Sequence, residues 1–253
     1  MSATLPAARS DGSFRATDVD RSISRLVLFD IDGTLVLSGR AGVRAMNIAF
    51  GQLHDRGHAL DGLPIAGRTD RAIVIDAMHA IGVEPTGDAI QALHDAYIER
   101  LAVEIKRPSG HPSLVLPGVE ALLDALEAQE GVVTALLTGN FHLGAAVKLG
   151  HFSLWQRFGF GAFGDEHVDR RALVPVALER AREAGVPVPP PEGVIIIGDT
   201  PNDIDCAKAH GARAIGVATG PFDRATLHAS GADLTVDTLD AADAVMDFVM
   251  SRV

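Results

Sequence analysis

Leu26-Val-Leu-Phe-Asp-Ile-Asp-Gly-Thr-Leu35 is a run of apolar residues that ends in two aspartates, one residue apart, and a glycine. A continuous apolar run of this length predicts a strand covered on both faces, as in a parallel sheet. In open parallel sheets, ligands bind beyond the carboxyl ends of the strands. Asp30 and Asp32 stand at that end, and Gly33 lets the backbone turn sharply. Two carboxylates this close repel, so they persist only beside a cation, a proton or fixed donors. A simple Asx turn accounts for one aspartate and the glycine, but not for an exposed pair after a buried strand.

Outward from this stretch, three helical patterns follow with no evident strand between them. They cover 41–54, 69–81 and 87–105, separated by loops such as Asp61-Gly-Leu-Pro-Ile-Ala-Gly67. Residues 38–113 therefore read as an all-helical insert, closed by the breakers Pro108, Gly110 and Pro112. Strand and helix then alternate. Helices are expected over 117–129, 142–149, 172–184, 202–209 and 240–250, and strands over 132–138, 194–198, 212–217 and 234–236. That alternation predicts an α/β fold with a Rossmann-like, doubly wound parallel sheet. Its segments are 23–37 and 114–253. Residues 1–22 read as a loose polar tail without the apolar centre of a secretory signal.

A chain of 253 residues can bury roughly three quarters of its unfolded surface, so it needs no covalent staple. Cys206 is its only cysteine, which excludes an internal disulfide and fits a reducing, cytoplasmic setting. The net charge of −11 argues against a nucleic-acid partner. No stretch reaches the roughly 18 uninterrupted apolar residues of a membrane span. Oligomeric state leaves no mark in the sequence.

Three strand ends carry polar residues: Asp30 and Asp32; Thr138, Gly139 and Asn140; and Asp199 with Asp203. A parallel sheet brings these ends to one edge. Asp30 and Asp199 would form a hard oxygen site suited to Mg2+. Thr138 and the amides beside it suit a phosphoryl oxygen. Arg170 and Arg171, at a helix start, are placed to add positive charge, as is Arg68 in the loop Ile65-Ala-Gly-Arg-Thr-Asp70.

Together these segments resemble the haloacid dehalogenase-like superfamily of hydrolases. Phe29-Asp-Ile-Asp-Gly-Thr-Leu35 is similar to its first motif, Leu136-Leu-Thr-Gly-Asn140 to its second, and Ile197-Gly-Asp-Thr-Pro-Asn-Asp-Ile204 to its fourth. The third motif departs: most members place a lysine there, and here stand Arg170 and Arg171. Arg170, three residues ahead of Leu173, is the better placed.

The resemblance implies that Asp30 attacks phosphorus and that Asp32 exchanges a proton with the leaving alcohol and with water. It implies Mg2+ held by Asp30, the carbonyl of Asp32, Asp199 and, through water, Asp203. Thr138 and Arg170 would hold the phosphoryl oxygens. Gly139, Asn140, Arg68 and Arg171 would line the substrate site. The insert would be a cap whose loop around Gly67 faces the substrate.

In cap type and motif layout the chain resembles phosphoglycolate phosphatases, which implies a small phosphorylated metabolite as substrate. The alternatives are a phosphomutase like β-phosphoglucomutase, with the same cap and motifs, and a 2-haloacid dehalogenase. Asp32 counts against the dehalogenase, whose chemistry needs no second aspartate. His54 with His58, His142 and Cys206 read as a frayed helix end, helix packing and a small buried hydrophobe.

Overall fold

The computed structural model describes residues 25–251, so the expected tail over 1–22 lies outside the described residues. The apolar opening run forms strand β1 (Arg25–Phe29). Strands β4 (Val132–Leu137), β5 (Gly161–Ala162), β6 (Val194–Gly198), β7 (Arg213–Val217) and β8 (Leu234–Val236) join it in one parallel sheet, ordered β5-β4-β1-β6-β7-β8. The chain first builds outward from β1 through β4 to β5. It then returns to β6 on the other side of β1. That reversal opens a crevice at the carboxyl end of β1, where open sheets bind ligands.

The period of two along β1 sorts its side chains into two cores. Val27 and Phe29 pack with Leu122, Leu123 and Leu126 of α4 (Val119–Glu127), Leu149 of α5 (His142–His151) and Val245 and Val249 of α9 (Ala242–Met250). Leu26 and Leu28 pack on the opposite face. Their partners come from α6 (Leu173–Glu183), α7 (Pro201–Ala209) and α8 (Arg224–Ala229).

The helical insert is α1 (Ala41–His54), α2 (Asp70–Ala80) and α3 (Gly87–Glu104), which share a separate apolar cluster around Phe50, Met78, Leu93 and Tyr97. The chain enters through β2 (Val36–Ser38) and leaves through β3 (Ser113–Val115), and these two short strands pair antiparallel.

Several expectations shift. Strands β2, β3 and β5 and helix α8 are absent from the reading of the sequence, because two to six residues carry too little periodicity to register. Helix α4 starts at Val119, not Pro117, because Gly118 caps it with φ 80°. A Cβ on Gly118 would overlap the backbone of Leu239 and Asp240. Gly150 does not stop α5, which runs on to His151. A glycine within a helix costs only about 1 kcal/mol, less than the packing of α5 recovers.

Candidate active site

Asp30 follows the last residue of β1, and its N–H donates to the carbonyl of Ile197 on β6 at 3.0 Å. Both strands therefore end at one height, which sets Asp30 beside Asp199. Asp199 is walled in by Gly33 and Gly220, where any Cβ would overlap its carboxylate. Gly33 also has φ 79°, so two separate constraints require glycine there. Asp203 lies in the first turn of α7. Its Oδ2 accepts the N–H of Thr200 at 3.0 Å and the hydroxyl of Thr200 at 2.8 Å. That leaves Oδ1 for Arg170.

Arg170 knits these acids together. It is 7 % exposed, with Nη2 3.1 Å from Asp30 Oδ1 and also bonded to Asp203. Its Nη1 donates to the carbonyl of Gly67 at 2.9 Å. Its buried Nε has no partner among the described residues. Burial opposes its charge, but Asp203 and Asp30 hold its pKa above the usual guanidinium value.

Oxygens of Asp30, Asp199 and Asp203 all lie within 4.8 Å of one another. Burial, then the charges of Asp203 and Asp30, push Asp199 well above the usual carboxylate range. Burial likewise pushes Asp203 up to about 6, against the pull of Arg170. Three buried carboxylates facing one guanidinium form an oxygen-only, net negative set, and such a set fits a hard divalent cation such as Mg2+.

Asp32 sits on the other side of the crevice. Its Oδ2 accepts Lys148 Nζ at 2.5 Å and Asn140 Nδ2 at 2.9 Å, and its Oδ1 accepts Ser38 Oγ at 3.3 Å. Lys148 Nζ also donates to Asn140 Oδ1 at 2.6 Å. Burial pushes the Asp32 carboxyl up, but Lys148, Asn140 and Ser38 outweigh it and hold the group below its usual range. The carboxylate stays open to the cavity, with its side chain 42 % exposed.

Lys148 is absent from the sequence reading. Its signal was present: it lies four residues after Gly144 and three after Ala145, on the buried face of α5. A lysine on an apolar stripe is buried only when paired. Ser38, on β2, carried no such signal.

The insert closes the crevice with the loop 65–70. Gly67 has φ 69° and its carbonyl accepts Arg170. The N–H of Asp70 donates to Gly139 O at 2.7 Å, and Asp70 Oδ2 accepts the N–H of Phe141 at 2.9 Å. A Cβ on Gly139 would overlap the carbonyl of Arg68, so a bare backbone is needed at this approach. The cavity between core and insert measures about 540 Å³. Asp30, Asp32, Asn140, Lys148, Arg170 and Asp199 line its polar wall, and Val43, Met46, Ile65 and Ile73 form part of its apolar wall.

Not every expected residue reaches this wall. Arg171 is exposed and pairs with Asp169 at 2.8 Å, because the turn of helix that buries Arg170 directs its neighbour outward. Thr138 is fully buried behind Asn140, whose Nδ2 donates to its Oγ1 at 2.8 Å. It is not among the residues lining the cavity. Arg68 lines the cavity, but its Nη2 lies 2.7 Å from Asp76, within the insert. Among the described residues His58 pairs with Asp61, and His142 packs edge-on against Phe163. Burial pushes the Cys206 thiol up to about 12, which keeps it unreactive.

Two bacterial phosphoglycolate phosphatases are similar to this chain. That of Pseudomonas putida is 29 % identical over 240 residues, spanning 87 % of this chain and 79 % of the relative. That of Chromobacterium violaceum is 28 % identical over 223 residues, spanning 85 % and 93 %. Among solved structures, CbbY from Rhodobacter sphaeroides in complex with phosphate aligns with a TM-score of 0.63 at 21 % identity, over 85 % of this chain and 95 % of that one. A hydrolase from Pseudomonas syringae aligns with a TM-score of 0.63 at 19 % identity, over 90 % and 99 %. At these identities the structures speak for the fold alone. The sequence pattern of the haloacid dehalogenase-like hydrolases matches residues 27–208, across the strands and loops that carry every acid of the site, and the chain belongs to that family.

Proposed function

We propose that this protein is a Mg2+-dependent phosphatase that hydrolyses a small phosphomonoester through an aspartyl-phosphate intermediate. The observation that carries the reading is the pairing of Arg170 with Asp30, opposite an Asp32 gripped by a separate set of donors. Asp30 is held beside Arg170 for attack, and Asp32, paired with Lys148 instead, is set apart for proton transfer.

Asp30 attacks phosphorus, and the bond to the leaving oxygen breaks. That oxygen takes its proton through Asp32, which draws it from the bound monoanionic ester, since the carboxyl is ionised in the empty site. Asp32 then removes a proton from water, which attacks the aspartyl phosphate and frees Asp30. Arg170 balances charge on the phosphoryl oxygens, with Asn140 and the Gly139 backbone beside them. Asp30, the carbonyl of Asp32, Asp199 and Asp203 would hold Mg2+, whose chemistry is to neutralise charge on the transferring phosphoryl group. The insert acts as a cap over residues 38–113, and its loop at Gly67 excludes water from the closed crevice.

The cavity suits a small ester, and the names of the relatives make 2-phosphoglycolate the first substrate to try. A dehalogenase needs no metal and no second aspartate, so Asp32 and the cluster of Asp30, Asp199 and Asp203 favour phosphoryl transfer. Among the described residues no helix is long and apolar enough to cross a membrane, and a cytoplasmic setting is part of the proposal. The test is phosphate release from 2-phosphoglycolate and a broad panel of phosphate esters with Mg2+. Asp30→Asn should lose on the order of a thousandfold or more. Release from no ester, or an undiminished Asp30→Asn, overturns the reading.

A further inference from the structure

Lys148 lies outside every motif of the family, yet it makes the shortest polar contact to Asp32. It is 5 % exposed, and its Nζ reaches both Asp32 Oδ2 and Asn140 Oδ1. Asn140 Nδ2 meets the same Asp32 oxygen, while Ser38 donates to the other. Three donors from β2, the loop after β4, and α5 thus fix a carboxylate whose terminal torsion is otherwise broad.

The ammonium belongs to the core, but the insert closes over it. A Cβ on Gly42 of α1 would lie 3.3 Å from Lys148 Nζ and 3.6 Å from the hydroxyl of Tyr97, on α3. Gly42 therefore lets the first turn of α1 approach the ammonium without a side chain between them. The grip on Asp32 is completed where core and insert meet.

We propose that Lys148 is a positioning residue that aims the Asp32 carboxyl at the leaving oxygen. The proposal rests on the reading of Asp32 as the proton donor to that oxygen. Removing one partner of a buried ion pair also disturbs structure, so the test must separate aim from stability. Leaving-group chemistry does this. An alkyl alcohol needs a proton as it departs, whereas p-nitrophenolate departs without one.

The experiment measures kcat/KM with Mg2+ on 2-phosphoglycolate, glycerol 1-phosphate and p-nitrophenyl phosphate, a quantity that covers steps up to departure of the leaving group. The variants are Lys148→Met, Lys148→Arg and Asp32→Asn. Lys148→Met should lose about a hundredfold on the alkyl esters and only a few fold on the aryl ester. The retained aryl turnover shows that the variant folds. Lys148→Arg, which keeps charge and donors, should regain at least tenfold of the alkyl loss. Asp32→Asn should show the same selectivity between esters.

Equal losses for Lys148→Met on both kinds of ester, or no loss on either, overturn the positioning role while a selective Asp32→Asn leaves the acid reading standing. An Asp32→Asn that loses equally on both overturns the acid reading and the Lys148 role with it. A wild-type protein inactive on these three and on every other ester of the panel overturns both as well.

Discussion

Asp70 Oδ2 accepts the backbone N–H of Phe141 at 2.9 Å. Asp70 begins α2 of the insert, and Phe141 follows the Thr138-Gly139-Asn140 turn of the core. A second bond, from Asp70 N–H to Gly139 O at 2.7 Å, makes the contact reciprocal. These bonds latch the insert to the core at this point.

The latch has a pH signature. Burial pushes the Asp70 carboxyl up to about 6, against the pull of Lys148 and of the Phe141 N–H. Between about pH 4 and 6 the folded protein keeps a proton that the unfolded chain releases, so this group's contribution to stability falls as pH rises through that window. It is fully present below the window and gone above it. Asp70→Asn keeps an acceptor for Phe141 and removes the titration. Compared with the wild type, the variant should gain roughly a few degrees in melting temperature as pH rises from 4 to 7. Thermal melts of both proteins across that range check it; parallel curves would refute the assignment.

Arg170 neutralises two acids and holds the loop at Gly67. Arg170→Ala leaves Asp30 and Asp203 facing each other without compensation. The cost to metal-free stability should be about 3–5 kcal/mol, by analogy with other broken buried pairs. Phosphate release should fall at least a hundredfold. Arg170→Lys should recover only part of the activity, because a single ammonium cannot reproduce a planar fork with three acceptors. Chemical denaturation and steady-state kinetics measure the two effects separately.

A divalent cation at Asp30, Asp199 and Asp203 should stabilise the fold by mass action. The gain is about 2.7 kcal/mol at a hundred times the dissociation constant. Melting temperature should therefore climb with Mg2+, and chelation with EDTA should stop phosphate release. In Asp199→Asn the climb should be lost or strongly reduced. A melting temperature insensitive to Mg2+ in the wild type would remove the cation from this cluster.

Gly67 adopts φ 69°, and a Cβ there would overlap Thr200 Oγ1 and crowd Asn202. Gly67→Ala should displace the loop and weaken the bond from Arg170 to its carbonyl. We expect kcat/KM to drop about tenfold, mostly through KM, since the loop closes the site but supplies no reacting atom. The melting temperature should fall by roughly 2–4 °C, the equivalent of about 1 kcal/mol in a chain of this size.

Much of the architecture is legible along the chain because its causes are local. The run 26–29 is uniformly apolar because β1 is covered on both faces, and the acids follow it because the strand ends there. The helices of the insert show in their apolar spacing, and α1 spans the residues expected of it. The choice between Arg170 and Arg171 is less local. Sequence places them one apart, and only the packed turn of helix shows that the first enters the site while the second meets Asp169.

By itself, then, the sequence determined the parallel α/β sheet, the helical insert and the convergence of Asp30, Asp32 and Asp199 on one edge. Periodicity, turn residues and strand ends are properties of neighbouring residues, and they survive without knowledge of the rest of the fold. Tertiary structure decided who touches whom. Lys148 meets Asp32 across 116 positions, Arg68 turns to Asp76, and Thr138 stands behind Asn140. Those contacts depend on how α5 rotates against the sheet and how the insert seats on the core. The opening pair of aspartates was visible from the first; which donors hold each one is set by packing.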